Sequence, residues 1–173
     1  MSDKEIITGC LRNERFSQRA LFDKYSKVLK TLCLRYVADV EESEDLLQEG
    51  FLVIFEKLSS YKFEGSFEGW LRKIMTNICL KHLIEKQKMK IDNLDDIVDL
   101  KDANYGIEDM ISEKQLMDSI FRLPIGYRTV FNLFVLEGYS HKEIGDILNI
   151  EESTSRSQLA KAKNYLKKIL KSI

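Results

Sequence analysis

The side chains best equipped to hold a ligand lie near the end of the chain. From Ser153 onward Arg156, Lys161, Lys163, Lys167, Lys168 and Lys171 meet no Asp or Glu. Leu159, Ala162, Tyr165, Leu166, Ile169 and Leu170 recur among them at helical spacing, so the cations crowd the outer face of an amphipathic helix. Such a face suits a polyanion, and the residues in front of it say which kind. Ser140 to Leu159, SHKEIGDILNIEESTSRSQL, reads as two short helices joined by a tight turn. Ser140 and Glu143 form an S-x-x-E capping box, and Ile144, Ile147 and Leu148 make one apolar face. Asn149 stands where the chain turns sharply, because asparagine tolerates left-handed backbone better than most residues. A helix-turn-helix with a cationic arm fits a DNA major groove, its first polar residues on base edges and its lysines on phosphates. A plain amphipathic helix with a solvated basic face is the competing account, and the capped helix and turn ahead of it argue against that.

Two further constellations lie in the first half. In DLLQEGFLVIFEKL, Asp45 to Leu58, the residues Leu47, Phe51, Ile54 and Leu58 form a core stripe. Asp45, Gln48 and Glu49 fall together on another face, flanked by Leu52 and Phe55. They could dock a partner, although the pattern alone favours a solvated acidic face. Next come Tyr61, Phe63, Phe67 and Trp70, interleaved with Lys62, Arg72, Lys73 and Lys81. Exposed rings beside cations are what single-stranded DNA needs, since an unpaired base stacks on a ring while its phosphate meets a cation. Core packing is the better account of Phe67 and Trp70, three apart on a helix; exposure is the better account of Tyr61 and Phe63 in the loop.

These side chains must be positioned by helices. Pro124 is the only proline, glycines are few and the apolar period stays near 3.6, so the chain is predicted to be all-α. A first short helix starts at Ile6, Ile7, Cys10 and Leu11, and a second runs from Phe16 and Ser17 to Tyr36. The third is predicted over Glu42 to Leu58 and the fourth over Phe67 to Ile84, with SSYKFEGS between them. Lys86 to Asp109 is charged, holds Asp92, Asp95, Asp96, Asp99, Asp102, Glu108 and Asp109, and has no sustained apolar face. It reads as a flexible acidic linker. Helical character returns near Ile107 with Met110, Ile111, Leu116, Met117, Ile120 and Phe121; Pro124 breaks that helix, and Tyr127 to Leu136 makes another before Gly138. The prediction is therefore two small helical domains, 1–85 and 110–173, joined by a linker over 86–109. Each is small enough to gain from docking on a larger partner.

Composition excludes several classes. The net charge of −1 and pI near 6.2 conceal an acidic middle and a basic end, so neither argues against nucleic acid. Cys10, Cys33 and Cys79 are odd in number and sit among apolar neighbours, as buried thiols of a reducing compartment do. His82 and His141, the only histidines, are far apart, which gives no metal-ligand spacing. No nucleophile elbow, phosphate loop, metal cluster or isolated acid pair is present, so no catalytic residue, metal or cofactor is expected. With no N-terminal signal pattern and no apolar run long enough to cross a bilayer, a cytoplasmic protein without membrane insertion is expected.

The order of the pieces carries more than any one of them. DLLQEGFLVIFEKL and FEGWLRKIMTNICLKHL, an acidic segment, then LPIGYRTVFNLFVLEGYSHKEIGDIL and the cationic helix resemble an extracytoplasmic-function sigma factor over nearly the whole chain. The resemblance implies a bacterial initiation factor without enzymatic activity. Such a factor binds core RNA polymerase, directs it to certain promoters and helps open the duplex. Asp45, Gln48, Glu49 and Phe55 match the family surface that docks on the coiled coil of the β′ subunit; the β subunit and promoter DNA are the other implied partners. Tyr61, Lys62 and Phe63, within the loop to Ser66, and Asn77 match the elements that capture a flipped base of the minus-ten element, with Lys81 one turn further on. Arg156, Ser157, Ala160 and Lys161 match positions that read the minus-thirty-five element.

The sequence departs from the family pattern at four places. Gly145 stands where alanine is usual, Asn149 where glycine is, and Ser155 where a β-branched apolar residue is. Gln158 stands where arginine is frequent, and glutamine is suited to adenine. The resemblance also leaves room for an anti-sigma protein, which no single residue identifies. A stand-alone helix-turn-helix repressor or activator would account for the basic end equally well, but not for the DLLQE-type helix followed by the aromatic loop.

Overall fold

The computed structural model describes residues 1–92 and 113–171, and every regular element among them is helical. Packing divides the chain into two units, Met1–Asp96 and Ile97–Ile173.

In the first unit the local signals set the helix ends. Ser2 and Glu5 close a capping box on α1, Asp3–Leu11. Helix α2, Arg15–Val37, stops at Ala38 in left-handed backbone. Asp39 then accepts from the Glu42 N–H at 2.9 Å, so α3 begins at Val40, slightly ahead of the predicted start, and runs to Lys57. A single 3-10 turn, Leu58–Ser60, leads into the aromatic loop. Helix α4, Phe67–Asp92, continues past Glu85 into the segment read as linker; the remainder of that segment lies outside the described residues.

The buried faces of α2, α3 and α4 meet in one core: Leu21, Leu29, Leu32 and Cys33 from α2, Leu47, Phe51 and Ile54 from α3, Leu71, Met75 and Cys79 from α4. Full burial of each such side chain stabilises by about 1.5 to 3 kcal/mol. Gly50 lets α3 and α4 approach closely, for a Cβ there would lie 2.3 Å from Met75 Cε. The three cysteines are all buried and none forms a disulfide, as their apolar neighbours predict.

In the second unit α5, Glu113–Phe121, is followed by Pro124 at the N-cap of α6, Ile125–Phe131. The helical signals Ile107, Met110 and Ile111 lie outside the described residues. Pro124 does separate two helices, because its fixed φ suits a helix start and no interior. The helix predicted over Tyr127 to Leu136 is instead two pieces. After Phe131 it widens into a π-helical turn, Asn132–Leu136, with the Glu137 N–H on the Asn132 carbonyl at 3.0 Å. Gly138, in left-handed backbone, ends it. Helices α7, His141–Leu148, and α8, Glu152–Lys171, complete the unit.

Candidate nucleic-acid interface

Three surfaces carry the candidate residues, and each follows from which side of its helix the core takes. On α3 the buried residues Leu46, Leu47, Gly50, Phe51 and Ile54 leave Asp45, Gln48 and Glu49 exposed together. Leu52 beside them is 66% exposed, a large apolar side chain with nothing over it among the described residues. Phe55 is half-buried, its ring 6.1 Å from Phe51, which in turn lies 4.8 Å from Phe22 of α2. Phe22 is exposed and extends this surface onto α2. The sequence signal for it was faint: an aromatic one residue out of register with the buried Leu21. The face is acidic at one edge and apolar at the other.

The second surface joins the loop after α3 to one side of α4. Here the structure corrects the reading of Tyr61. Its ring is buried, 5.0 Å from Phe67 and 5.4 Å from Trp70, and its hydroxyl donates to the Gly65 carbonyl at 3.1 Å. Tyr61 therefore braces the loop from inside and offers no face to a base. Phe67 is buried as predicted, edge-on to Tyr25 and stacked on Trp70 at 5.9 Å. Burial and a hydrogen bond to Asp3 push the Tyr25 hydroxyl far above its ordinary pKa, so it stays a neutral donor there.

Phe63 is what remains outside. It is 54% exposed, rests its ring 5.2 Å from Tyr61, and holds φ at 59°. Left-handed backbone is unusual for a bulky residue and costs of order 1 to 3 kcal/mol. Gly65, at φ 76°, completes the reversal, and Ser66 accepts from the Gly69 N–H to start α4. Lys62 is exposed beside Phe63.

Along α4, Trp70, Lys73, Asn77, Lys81 and Ile84 recur at three- and four-residue steps on the side away from Leu71, Met75 and Cys79. Lys73, Asn77, Lys81 and Ile84 are exposed and Trp70 is half-buried. Lys73 belongs to this stripe as much as Lys81 does, although the family motif marks only Asn77 and spacing from it only Lys81. The contacts Phe63 to Tyr61 to Trp70 tie the loop to the head of the stripe. An exposed ring, an amide and a row of cations on one surface can stack a base and neutralise its phosphates.

The third surface is the helix-turn-helix. Ser140 and Glu143 form the predicted capping box, and Asn149 takes left-handed backbone at φ 53°. Its departures from the family pattern fit one another. The Ile150 N–H donates to the Gly145 carbonyl at 3.0 Å, and a Cβ on Gly145 would lie 2.8 Å from the Ile150 carbonyl oxygen, so this turn closes only over glycine. Ser155 is fully buried and hydrogen-bonded to His141 Nδ1 at 2.9 Å.

On α8 the buried residues Ser155, Leu159, Ala162 and Leu166 point Arg156, Ser157, Ala160 and Lys161 outward. Arg156 is ion-paired to Glu152 one turn back, and the Lys161 ammonium lies 6.0 Å from the Tyr127 ring centroid. Gln158 departs from its predicted place. It is half-buried, with Oε1 only 3.5 Å from where a Cβ on Gly126 would stand, so its amide turns toward α6 and away from the outer face. The reason is angular: Gln158 falls on the flank of α8, next to the buried stripe. Lys163, Lys167 and Lys168 are exposed further along.

Among the described residues no cluster of three His, Cys, Asp or Glu could hold a metal ion, and no helix is long and apolar enough to cross a membrane.

Residues 21–89 match Sigma-70 region 2, and residues 113–166 match Sigma-70, region 4. The chain is 24% identical over 169 residues to the ECF RNA polymerase sigma factor SigM of Mycobacterium tuberculosis, covering 98% of this chain and 85% of that protein. It is 27% identical over 188 residues to the ECF RNA polymerase sigma factor SigW of Bacillus subtilis, covering 100% and 99%. Among solved structures it is similar in fold to the sigma factor RpoE in complex with the anti-sigma factor NepR from Bartonella quintana. That match has TM-score 0.56 and 19% identity over 88% of this chain and 96% of that one. It is also similar in fold to CnrH in complex with the cytosolic domain of CnrY, with TM-score 0.53 and 14% identity over 98% of this chain and 97% of that one. Two sigma-70 regions in this order, each carrying its own solvent-facing polar surface, place the chain among the extracytoplasmic-function sigma factors, the RNA polymerase subunits that direct transcription to specific promoters.

Proposed function

We propose that the three surfaces divide the work of initiation. The α3 face, with Asp45, Gln48, Glu49 and Phe55 and extended by Leu52 and Phe22, docks on the β′ coiled coil of core RNA polymerase, while the second unit meets the β subunit. Lys62, Phe63, Asn77 and Lys81, joined by Lys73, hold an extruded base of the minus-ten element, with Tyr61 as the brace beneath. Arg156, Ser157, Ala160 and Lys161 face the minus-thirty-five element. The chain carries no reaction of its own, since phosphodiester synthesis belongs to the polymerase, and it works in the cytoplasm beside that enzyme. An anti-sigma protein is a further partner, one that covers the exposed apolar side chains of α3 in competition with core.

The observation that carries this reading is the continuous surface from the strained, exposed Phe63 to the Lys73, Asn77 and Lys81 stripe. A groove-reading regulator has no use for such a surface, whereas unstacking a base costs a few kcal/mol that a stacking ring offsets. Gel filtration with core polymerase is the direct test. The chain should co-elute with core, and Gln48→Ala combined with Glu49→Lys should weaken that complex by about 2 to 5 kcal/mol without unfolding the protein. A folded double variant that competes for core as well as wild type would remove the α3 assignment. A chain that binds promoter duplex tightly but never co-elutes with core would be a stand-alone regulator.

A further inference from the structure

His141 has a use that neither the helix-turn-helix motif nor the family resemblance assigns. It is the first residue of α7, and its ring is clamped on two sides. One face stacks on Phe134 at 4.3 Å with the planes 20° apart, and Nδ1 bonds the Ser155 hydroxyl at 2.9 Å. Ser155 is fully buried, its N–H donates to the Glu151 carbonyl at 3.1 Å, and its hydroxyl has no partner other than His141 among the described residues. In the neutral tautomer that gives the buried hydroxyl an acceptor, Nδ1 accepts from it and the ring proton lies on Nε2. Nε2 has no partner among the described residues and the ring is half-buried, so this N–H can meet a ligand.

A hydroxyl can reverse its role: when Nδ1 is protonated it donates and the Ser155 oxygen accepts. The clamp therefore holds the ring in both charge states, and protonation changes only the charge presented at the joint of the two helices. The charged groups whose fields reach the ring are Arg156, Glu152 and Lys163 of α8. The π-helical turn under the ring, Asn132–Leu136, has no titratable side chain, and on α7 itself Lys142 and Glu143 are the nearest in sequence. Burial first, then the Arg156 and Lys163 charges, push the imidazole below its ordinary pKa, with Glu152 opposing them.

We infer that His141 is a proton-linked anion contact of the helix-turn-helix: it takes up a proton when a duplex phosphate arrives, so that binding tightens as pH falls. The inference rests on the reading of α8 as the duplex-facing helix. The sign follows from the surroundings. In the free protein the neighbouring cations oppose the imidazolium; a duplex phosphate beside the ring offsets their charge, whether or not it touches Arg156 itself, and so weakens that opposition and adds an attraction. The pKa in the complex then lies above that of the free protein, the complex holds more protons, and affinity rises as pH falls through the complex value, levelling off below the free value.

The test uses holoenzyme and a duplex recovered from a random-sequence promoter library, with a scrambled duplex beside it. Affinity is measured from about pH 5.5 to about pH 8, where histidine titrates. Wild type should tighten toward acid pH by up to about tenfold for each unit by which the duplex raises the pKa. His141→Gln should lose that slope and His82→Gln should keep it. Because the chain holds only two histidines, their imidazole resonances can also be followed in the full wild-type chain. The His141 midpoint should move up on adding the duplex. An unmoved His141 midpoint, or a slope that survives in His141→Gln, overturns the inference and leaves α8 as the reading helix. Equal affinity for selected and scrambled duplexes at every pH overturns the reading of α8, and the proton linkage with it.

Discussion

Phe63 and Asn149 share a backbone conformation, left-handed at φ 59° and 53°, and the two surfaces they belong to are otherwise built on opposite terms. Asparagine enters that region easily, so the turn between α7 and α8 stores little strain and the recognition helix is held by ordinary packing of Ser155, Leu159 and Ala162. Phenylalanine enters it at a cost, and the loop keeps it there only because Tyr61, beneath it, is packed on Phe67 and Trp70 and tied to Gly65. The α8 surface presents charge on a relaxed helix. The loop surface presents an apolar ring that a packed cluster holds in solvent. The first should therefore be sensitive to salt and tolerant of its neighbours' identity; in the second the lysines share that salt dependence, while the contribution of the Phe63 ring should be indifferent to salt and sensitive to its support.

The largest effect expected from that difference is at Tyr61. Tyr61→Ala removes a buried ring from a four-aromatic cluster and should destabilise the first unit by about 3 to 5 kcal/mol, whereas Tyr61→Phe should lose about 1 kcal/mol, the worth of one hydrogen bond. Urea unfolding followed by Trp70 fluorescence reads this directly, since Trp70 is the only tryptophan and lies 5.4 Å from the Tyr61 ring. Loss of promoter opening by Tyr61→Ala at unchanged stability would instead make Tyr61 a base-stacking residue and return the loop to its sequence-based reading.

What the chain discloses before folding follows the same division. The Ser140 and Glu143 box, the left-handed Asn149, the α3 core stripe and the solvent side of Arg156 and Lys161 are all legible, because each depends on residues within about one or two helical turns. Which loop ring goes inside is decided by Phe67 and Trp70 arriving from α4, and nothing in YKF distinguishes Tyr61 from Phe63 beforehand. The side taken by Gln158 depends on Gly126, more than thirty positions earlier in the chain. The π-helical turn at Asn132 likewise has no local breaker in its sequence, so a continuous helix is what the period alone supports.

Next in size are three single-residue changes that should separate charge from stacking. Arg156→Ala should cost about 1 to 3 kcal/mol at the preferred minus-thirty-five sequence and relax the preference there, while a change at Lys167 should weaken all sequences alike and flatten the salt dependence by about one unit of slope. Equal weakening of matched and scrambled duplexes by Arg156→Ala would make that arginine a phosphate anchor. Phe63→Ala should cost about 1 to 3 kcal/mol in open-complex formation, the worth of one stacked base, with closed-complex binding and salt slope unchanged. Permanganate reactivity of the melted bases measures it, and on a duplex promoter equal reactivity in variant and wild type would remove Phe63 from the interface.

The smallest expected effect is the one most at odds with the sequence pattern. Gln158 occupies a position where a bidentate contact with adenine looks available, yet its amide packs toward Gly126 on the flank of α8. Swinging it to the outer face would leave a gap beside α6 and expose the same polar group to no better partner. Gln158→Ala should therefore change minus-thirty-five affinity and stability by less than about 0.5 kcal/mol and leave the preferred sequence as it is. Gln158→Arg differs, because a longer cationic side chain can pass the edge of α6 and reach a phosphate. It should raise affinity on every sequence and steepen the salt dependence by about one unit. Selection from a randomised minus-thirty-five library by the three holoenzymes decides the matter. Loss of an adenine at one position in the Gln158→Ala selection would show that the glutamine turns outward on DNA, and would make the α8 surface as dependent on rearrangement as the loop surface is on strain.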